Sequence, residues 1–343
     1  MQAQTMKAAR IHRQGPPEVL VYEDTPMPTL LPGDVLIRNE AAGINFADVE
    51  RRRGGYYPVP VKEFPAVLGG EFAGEVTEVA DDASDWKAGD KVFGIVTAAR
   101  SGTYAQYLAT EARNLYPLPP GIDFADAPAL LIQGLTAYFL VRDAARVSKD
   151  DTVLILAAAG GVGSLAVQLA RIMGAGRIIG AASTPEKREL ALGLGADAVV
   201  DYTRPGWSDE VRRLTEGRGV DAVLLSGGGD MFTEALACLA PRGRAAVFGS
   251  ANGEMPVVDF AAHIGAGRMS MNQTVGFFGL HYYQAHARAE VRQALDELAE
   301  LVRTGRLRLD HGHRFPLSAA AEAHHCLEHR QSTGKLVLLP WAD

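Results

Sequence analysis

The chain has 343 residues, 47% apolar and 22% charged, a length and balance that predict a soluble globular protein of two domains. Its formal charge of −7, carried without a lysine or arginine stripe, excludes nucleic acid and anionic membranes as expected partners. No window approaches the uninterrupted apolar length that spans a bilayer, and no apolar signal core precedes the first strand-like segment. With only Cys238 and Cys326 in so long a chain, the expectation is a reducing, cytoplasmic setting without a disulfide framework.

In chain order, the first part reads as short strands punctuated by glycine and proline. Lys7–Ile11, Val19–Tyr22, Val35–Ala42, Gly74–Ala80, Lys91–Val96 and Thr103–Ala109 are the strand candidates. Such spacing predicts a small barrel-like β domain. Near Leu130 the texture changes. Thr152–Ala157 is a continuous apolar run, the pattern of a parallel strand buried on both faces. Helical patterns at Leu165–Met173, Pro185–Leu194, Ser208–Thr215 and Met231–Leu239 alternate with strands at Arg177–Ala182, Ala198–Asp201, Val220–Ser226 and Arg244–Gly249. This βαβ alternation predicts a doubly wound α/β domain. Beyond it, Glu290–Thr304 predicts an amphipathic helix with Val291, Leu295, Leu298 and Val302 on one face. Ser318 is the expected cap of a second helix, and Lys335–Leu339 a final strand.

The motif with chemistry is Ala158-Ala159-Gly160-Gly161-Val162-Gly163, set between a buried strand and a helix. There Gly160 and Gly161 let the backbone approach a pyrophosphate, the helix start offers free N–H groups and a positive dipole end, and Gly163 permits close helix–strand packing. A dinucleotide is therefore expected. Sites that prefer NAD place an acidic residue at the end of the second strand; here that strand ends Gly180-Ala181-Ala182-Ser183-Thr184. Ser183, Thr184, Lys187 and Arg188 instead offer a 2′-phosphate hydroxyl and cationic partners, so NADPH is the expected cofactor. In an open α/β sheet ligands collect at the carboxyl ends of strands, which marks Ser226 and Gly227, and then Phe248, Gly249 and Ser250, as further cofactor contacts.

Several segments together resemble the medium-chain dehydrogenase/reductase superfamily, in its zinc-independent quinone oxidoreductase-like branch. They are Ala42-Gly43-Ile44-Asn45-Phe46-Ala47-Asp48, Leu68-Gly69-Gly70-Glu71-Phe72-Ala73-Gly74, Gly89-Asp90-Lys91-Val92, Gly134-Leu135-Thr136-Ala137, the glycine-rich turn itself, and Gly334-Lys335-Leu336-Val337. The resemblance covers essentially the whole chain. It implies a GroES-like β-barrel catalytic domain at 1–130 and 275–343, a Rossmann doubly wound parallel-sheet domain at 131–274, a cleft between them, and a homodimer formed through an edge strand near Met269–Gly276. It also implies that Asn45 and Gly70 stand where the zinc enzymes of the superfamily carry Cys and His, leaving only Glu71 of that donor set, so no metal is expected. His311, His313, His324 and His325 read as surface or packing residues.

Without a Lewis acid to polarise a carbonyl, hydride transfer to an already activated acceptor is the expected chemistry: a quinone, an enal or an enone. By the same resemblance Asn45 contacts cofactor ribose or substrate, and Tyr57, with Tyr56 as its neighbour and rival, is a proton donor to the developing enolate. Thr136 and Tyr202 contact the cofactor, and Arg330, with Lys335 as rival, is a basic contact near the C-terminus. Two further readings stand beside this one: a trans-acting enoyl-thioester reductase, and a non-catalytic NADPH-binding protein.

Overall fold

The computed structural model describes residues 4–55, 60–80, 86–97, 100, 102–265, 271–309 and 312–342. The chain forms two compact units. One comprises Met1–Ile132, Leu295–Arg303 and Leu309–Asp343, the other Gln133–Ala294 and Thr304–Arg308.

The first unit opens with β1 (Thr5–Ile11), β2 (Leu20–Pro26) and β3 (Asp34–Ile44). Helix α1 (Phe46–Arg53), β4 (Ala66–Val67), β5 (Glu71–Val79), β6 (Lys91–Ile95), β7 (Tyr107–Glu111) and β8 (Leu115–Pro117) follow. The strand expected over Thr103–Ala109 begins only at Tyr107, because the Asn39 side chain takes the Thr103 and Ala105 carbonyls that a ladder would use. Strand β3 organises this unit. It pairs antiparallel with β5 and β7, and its last residues reach the register Gly43↔Glu71.

The second unit carries the expected alternation. Its elements are α2 (Ile132–Phe139), β9 (Thr152–Leu156), α3 (Gly161–Ile172), β10 (Arg177–Ala181), α4 (Pro185–Gly193), β11 (Ala198–Val200) and α5 (Trp207–Leu214). Then come β12 (Val220–Leu225), α6 (Gly229–Ala237), β13 (Leu239–Val247), α7 (Phe260–Gly265), β14 (Thr274–Phe277), α8 (Leu280–His286) and α9 (Arg288–Arg303), whose residues from Leu295 onward count with the first unit. The six strands are parallel, in the order β11-β10-β9-β12-β13-β14. Counted from β9 this is 3-2-1-4-5-6, the order of dinucleotide-binding sheets, whose reversal point lies between the first and fourth strands. Leu154, Leu156, Ile179, Val223 and Leu225 are buried on one face of this sheet and Val153, Ile155, Ile178 and Leu224 on the other, which explains the uninterrupted apolar runs.

The expected return to the first unit at residue 275 differs from the observed division. Strand β14 pairs with β13, Val275 opposite Ala245, so the chain through Ala294 stays with the second unit. Helix α3 also begins at Gly161, four residues before the apolar pattern starts at Leu165, because the glycines themselves form its first turn.

The C-terminal segment adds β15 (His313–Pro316), α10 (Ala320–Glu328) and β16 (Leu336–Leu339). Ser318 does not cap α10; it lies inside a 3-10 turn, Leu317–Ala319, anchored by the buried Leu317, and Ala319 is the N-cap. Strand β16 pairs antiparallel with the end of β3, Leu336 opposite Ile44. Residues far apart in sequence thereby converge: Asn45 follows β3, Glu71 begins β5 and Lys335 precedes β16.

Candidate functional site

The glycine-rich turn leaves β9 at the reversal point of the parallel sheet. Ala157 turns the chain with φ of 51°, Gly160 is the N-cap, and the N–H groups of Gly161, Val162 and Gly163 have no acceptor among the described residues. Three aligned, unspent donors at the start of a twelve-residue helix form an anion cradle. A Cβ on Gly163 would overlap the Ala157 carbonyl oxygen, and one on Gly161 would overlap the Gln133 carboxamide. The Gln133 Oε1 beside it is buried without a donor, a polar atom that a bound group would satisfy. These features fit the pyrophosphate of a dinucleotide.

The other predicted cofactor residues of this unit gather along the carboxyl edge of the sheet. Ser183 and Thr184 follow β10, Tyr202 follows β11, Ser226 and Gly227 follow β12, and Phe248, Gly249 and Ser250 follow β13. Thr184 is the N-cap of α4, its hydroxyl accepting the Lys187 N–H at 3.3 Å. Arg188 is committed to structure: it donates to the Ala182 carbonyl and pairs with Asp201 at 3.1 Å. Glu186, in the first turn of α4, adds a carboxylate that the residues at the strand end do not announce. A bond to its own backbone N–H, then one from the Thr184 hydroxyl, hold its carboxyl below the usual range. Tyr202 packs against the core of the sheet, and Thr136 is buried on α2.

Asn45 and Arg330 belong to the first unit. Arg330 is exposed, with φ of 55° just beyond α10. Its rival Lys335 is buried and donates to the Ile44 carbonyl at 3.0 Å, to Asn45 Oδ1 at 3.0 Å and to Glu71 Oε1. Asn45 Nδ2 donates to the same Glu71 oxygen at 2.7 Å, and the Ile132 N–H donates to Glu71 Oε2 at 2.9 Å. Tyr57 and Tyr56 lie outside the described residues.

Behind Asn45 runs a buried polar chain that no local motif announces. The Asp48 carboxylate accepts the Asn45 backbone N–H at 2.9 Å and a hydrogen bond from Tyr104. Tyr104 Oη meets His324 Nε2 at 3.0 Å, and His324 Nδ1 meets Arg52 Nη1 at 3.0 Å. Arg52 also donates to the Gly15 carbonyl and to Glu328. A guanidinium only donates, so His324 accepts at Nδ1 and carries its proton on Nε2, which then donates to Tyr104. Burial, then the Arg52 charge, pushes His324 down to about 3, so it is neutral. Burial pushes Asp48 up to about 6 and the nearby Glu71 charge adds to this, while the Asn45 N–H and Lys335 oppose it. The reading of His324 as a packing residue agrees with these contacts.

The model of the alcohol dehydrogenase GroES-like domain matches residues 31–120, and that of the zinc-binding dehydrogenase matches residues 161–300. A 2-haloacrylate reductase from Burkholderia sp is 36% identical, over 98% of this chain and 99% of its own. A quinone oxidoreductase from Pseudomonas aeruginosa is also 36% identical, over 95% of this chain and 97% of its own. Among solved structures, Escherichia coli quinone oxidoreductase complexed with NADPH superposes with a TM-score of 0.87 at 33% identity, covering 98% of this chain and all of that one.

Proposed function

Since this chain belongs to the medium-chain dehydrogenase/reductase family, in its quinone oxidoreductase branch, we propose that it is an NADPH-dependent reductase of quinones or α,β-unsaturated carbonyls. The observation that carries the reading is the set of unspent N–H groups at Gly161, Val162 and Gly163, at the reversal point of the parallel sheet. Bound NADPH supplies a hydride from nicotinamide C4. With one proton that hydride converts a quinone to a hydroquinone; on an enone it adds at the β-carbon and the proton adds at the α-carbon. The glycine-rich turn, the strand-end residues Ser183, Thr184, Tyr202, Ser226, Gly227, Phe248, Gly249 and Ser250, and Lys187 in the first turn of α4 bind and orient the cofactor, with Thr136 and Arg330 as further contacts. Asn45 donates a hydrogen bond at the reacting end, and Tyr57 supplies the proton.

The enzyme works without zinc. A carboxamide and a glycine are poor zinc donors, Glu71 is paired with the Lys335 ammonium, and Asp48 is spent on the Asn45 N–H and Tyr104. It acts as a cytoplasmic homodimer. Cys238 and Cys326, neither in a disulfide, suit a reducing compartment, and the edge strand β14, with Phe277 exposed, suits pairing with a second copy. Among the described residues no helix is long and apolar enough to cross a membrane.

A panel of quinones, enals and enones with NADPH tests the function. Oxidation of NADPH by at least one class is expected. Tight NADPH binding without turnover on any member would leave a binding protein and overturn the reductase reading. Sedimentation should give a dimer, and metal analysis no stoichiometric zinc.

A further inference from the structure

Glu71, Asn45 and Lys335 form a closed set of buried hydrogen bonds whose arithmetic leaves one atom over. An ammonium has three N–H donors and no acceptor. Those of Lys335 go to the Ile44 carbonyl, to Asn45 Oδ1 and to Glu71 Oε1. An ionised carboxylate only accepts. Glu71 takes Lys335 and Asn45 Nδ2 on Oε1 and the Ile132 N–H on Oε2. Gly43, opposite Glu71 in the ladder, leaves the room, since a Cβ there would overlap the Glu71 side chain.

The Asn45 carboxamide therefore stands one way round. Turned over, it would present N–H groups to an ammonium and an oxygen to a carboxylate, both away from water. Its backbone is held as well, by the Asp48 carboxylate on its N–H. The amide has two N–H groups, one goes to Glu71, and the second has no partner among the described residues.

We propose that Glu71 and Lys335 are positioning residues that lock the Asn45 carboxamide so that its second Nδ2–H is kept for an oxygen of the hydride acceptor. The proposal rests on the reductase reading of Asn45 given above. The lock matters because an unconstrained amide presents its oxygen as readily as its N–H. An amide oxygen aimed at a gathering oxyanion opposes the reaction, whereas an N–H fixed in advance stabilises it at no cost of reorganisation. The ammonium on the amide oxygen also draws electron density from the nitrogen, which polarises the remaining N–H.

The test is a double-mutant cycle of Asn45→Ala against Glu71→Gln, whose neutral amide offers either end to Asn45. Lys335→Met serves as the second arm should Glu71→Gln fail to fold. NADPH affinity is read by nicotinamide fluorescence, folding by thermal melting, and kcat and KM with para-benzoquinone. Asn45→Ala is expected to lower kcat about tenfold with NADPH affinity held within about twofold. Glu71→Gln is expected to lower kcat severalfold in the parent but by less than about twofold in the Asn45→Ala background. Equal losses from Glu71→Gln in both backgrounds, or no loss in either, overturn the positioning role while leaving Asn45 in the site. An Asn45→Ala variant with unchanged kcat and KM, or one that loses only NADPH affinity, overturns the placement of Asn45 at the acceptor.

Discussion

Asp48 and His324 lie two hydrogen bonds apart, through Tyr104, and their proton equilibria oppose one another. His324 falls from 6.5 to about 3 on folding, so between those values the unfolded chain binds the extra proton and stability is lost as pH falls. Asp48 rises from 3.8 to about 6, so between those values the native state binds the extra proton and stability is gained as pH falls. From pH 6 to pH 4 both windows are open, and each group contributes on the order of 2 kcal/mol with opposite sign. The two nearly cancel in the parent protein. Asp48→Asn removes one side of the balance. Relative to the parent, the variant should lose about 2 kcal/mol between pH 6 and pH 4, read from urea unfolding midpoints followed by fluorescence. His324→Gln, which keeps a donor and an acceptor, should shift the other way by a similar amount. Only changes with pH are compared, so any constant effect of either substitution drops out. A parent-to-variant difference that stays flat across this range for Asp48→Asn would refute the assignment of opposed, buried titrations.

Other perturbations have equally definite outcomes. Gly163→Val drives a side chain into the Ala157 carbonyl, and should cost about 1–3 kcal/mol in thermal unfolding and weaken NADPH binding measured by fluorescence. Lys187→Ala should lower NADPH affinity about tenfold, near 1.4 kcal/mol, and leave NADH affinity nearly unchanged; equal losses for both would remove the 2′-phosphate argument. Arg52→Met strips the buried partner of His324 and Glu328 and should destabilise the protein by roughly 3–5 kcal/mol in chemical unfolding, because it leaves a carboxylate with fewer compensating charges.

How legible each feature was depended on the length of chain that defines it. The glycine-rich turn was plain because a dinucleotide cradle is local: a buried strand, three glycines and a helix start within a dozen residues. The parallel sheet was plain for a similar reason, since strands buried on both faces must be continuously apolar whatever packs on them. Glu186 is not legible as a site residue in the sequence because it lies beyond the strand end, in the first turn of α4. The carboxylate reaches the Thr184 hydroxyl only once α4 begins with Thr184 as its cap.

By itself, the order of residues determined two domains of different texture, a dinucleotide turn, the absence of an acid at the end of β10, and Asn45 and Gly70 where zinc donors are otherwise expected. Tertiary structure alone decided the rest. The register Gly43↔Glu71 and Ile44↔Leu336 brings Asn45, Glu71 and Lys335 into one hydrogen-bonded set across almost the full length of the chain. The same folding buries Arg52, Tyr104 and His324 together behind Asp48, and pairing of β14 with β13 carries the second unit past residue 275. The physical reason is common to all three. Periodicity reports which face of an element is buried, but it carries no information on which distant strand supplies the neighbour, and a side chain's charge, tautomer and orientation are set by that neighbour.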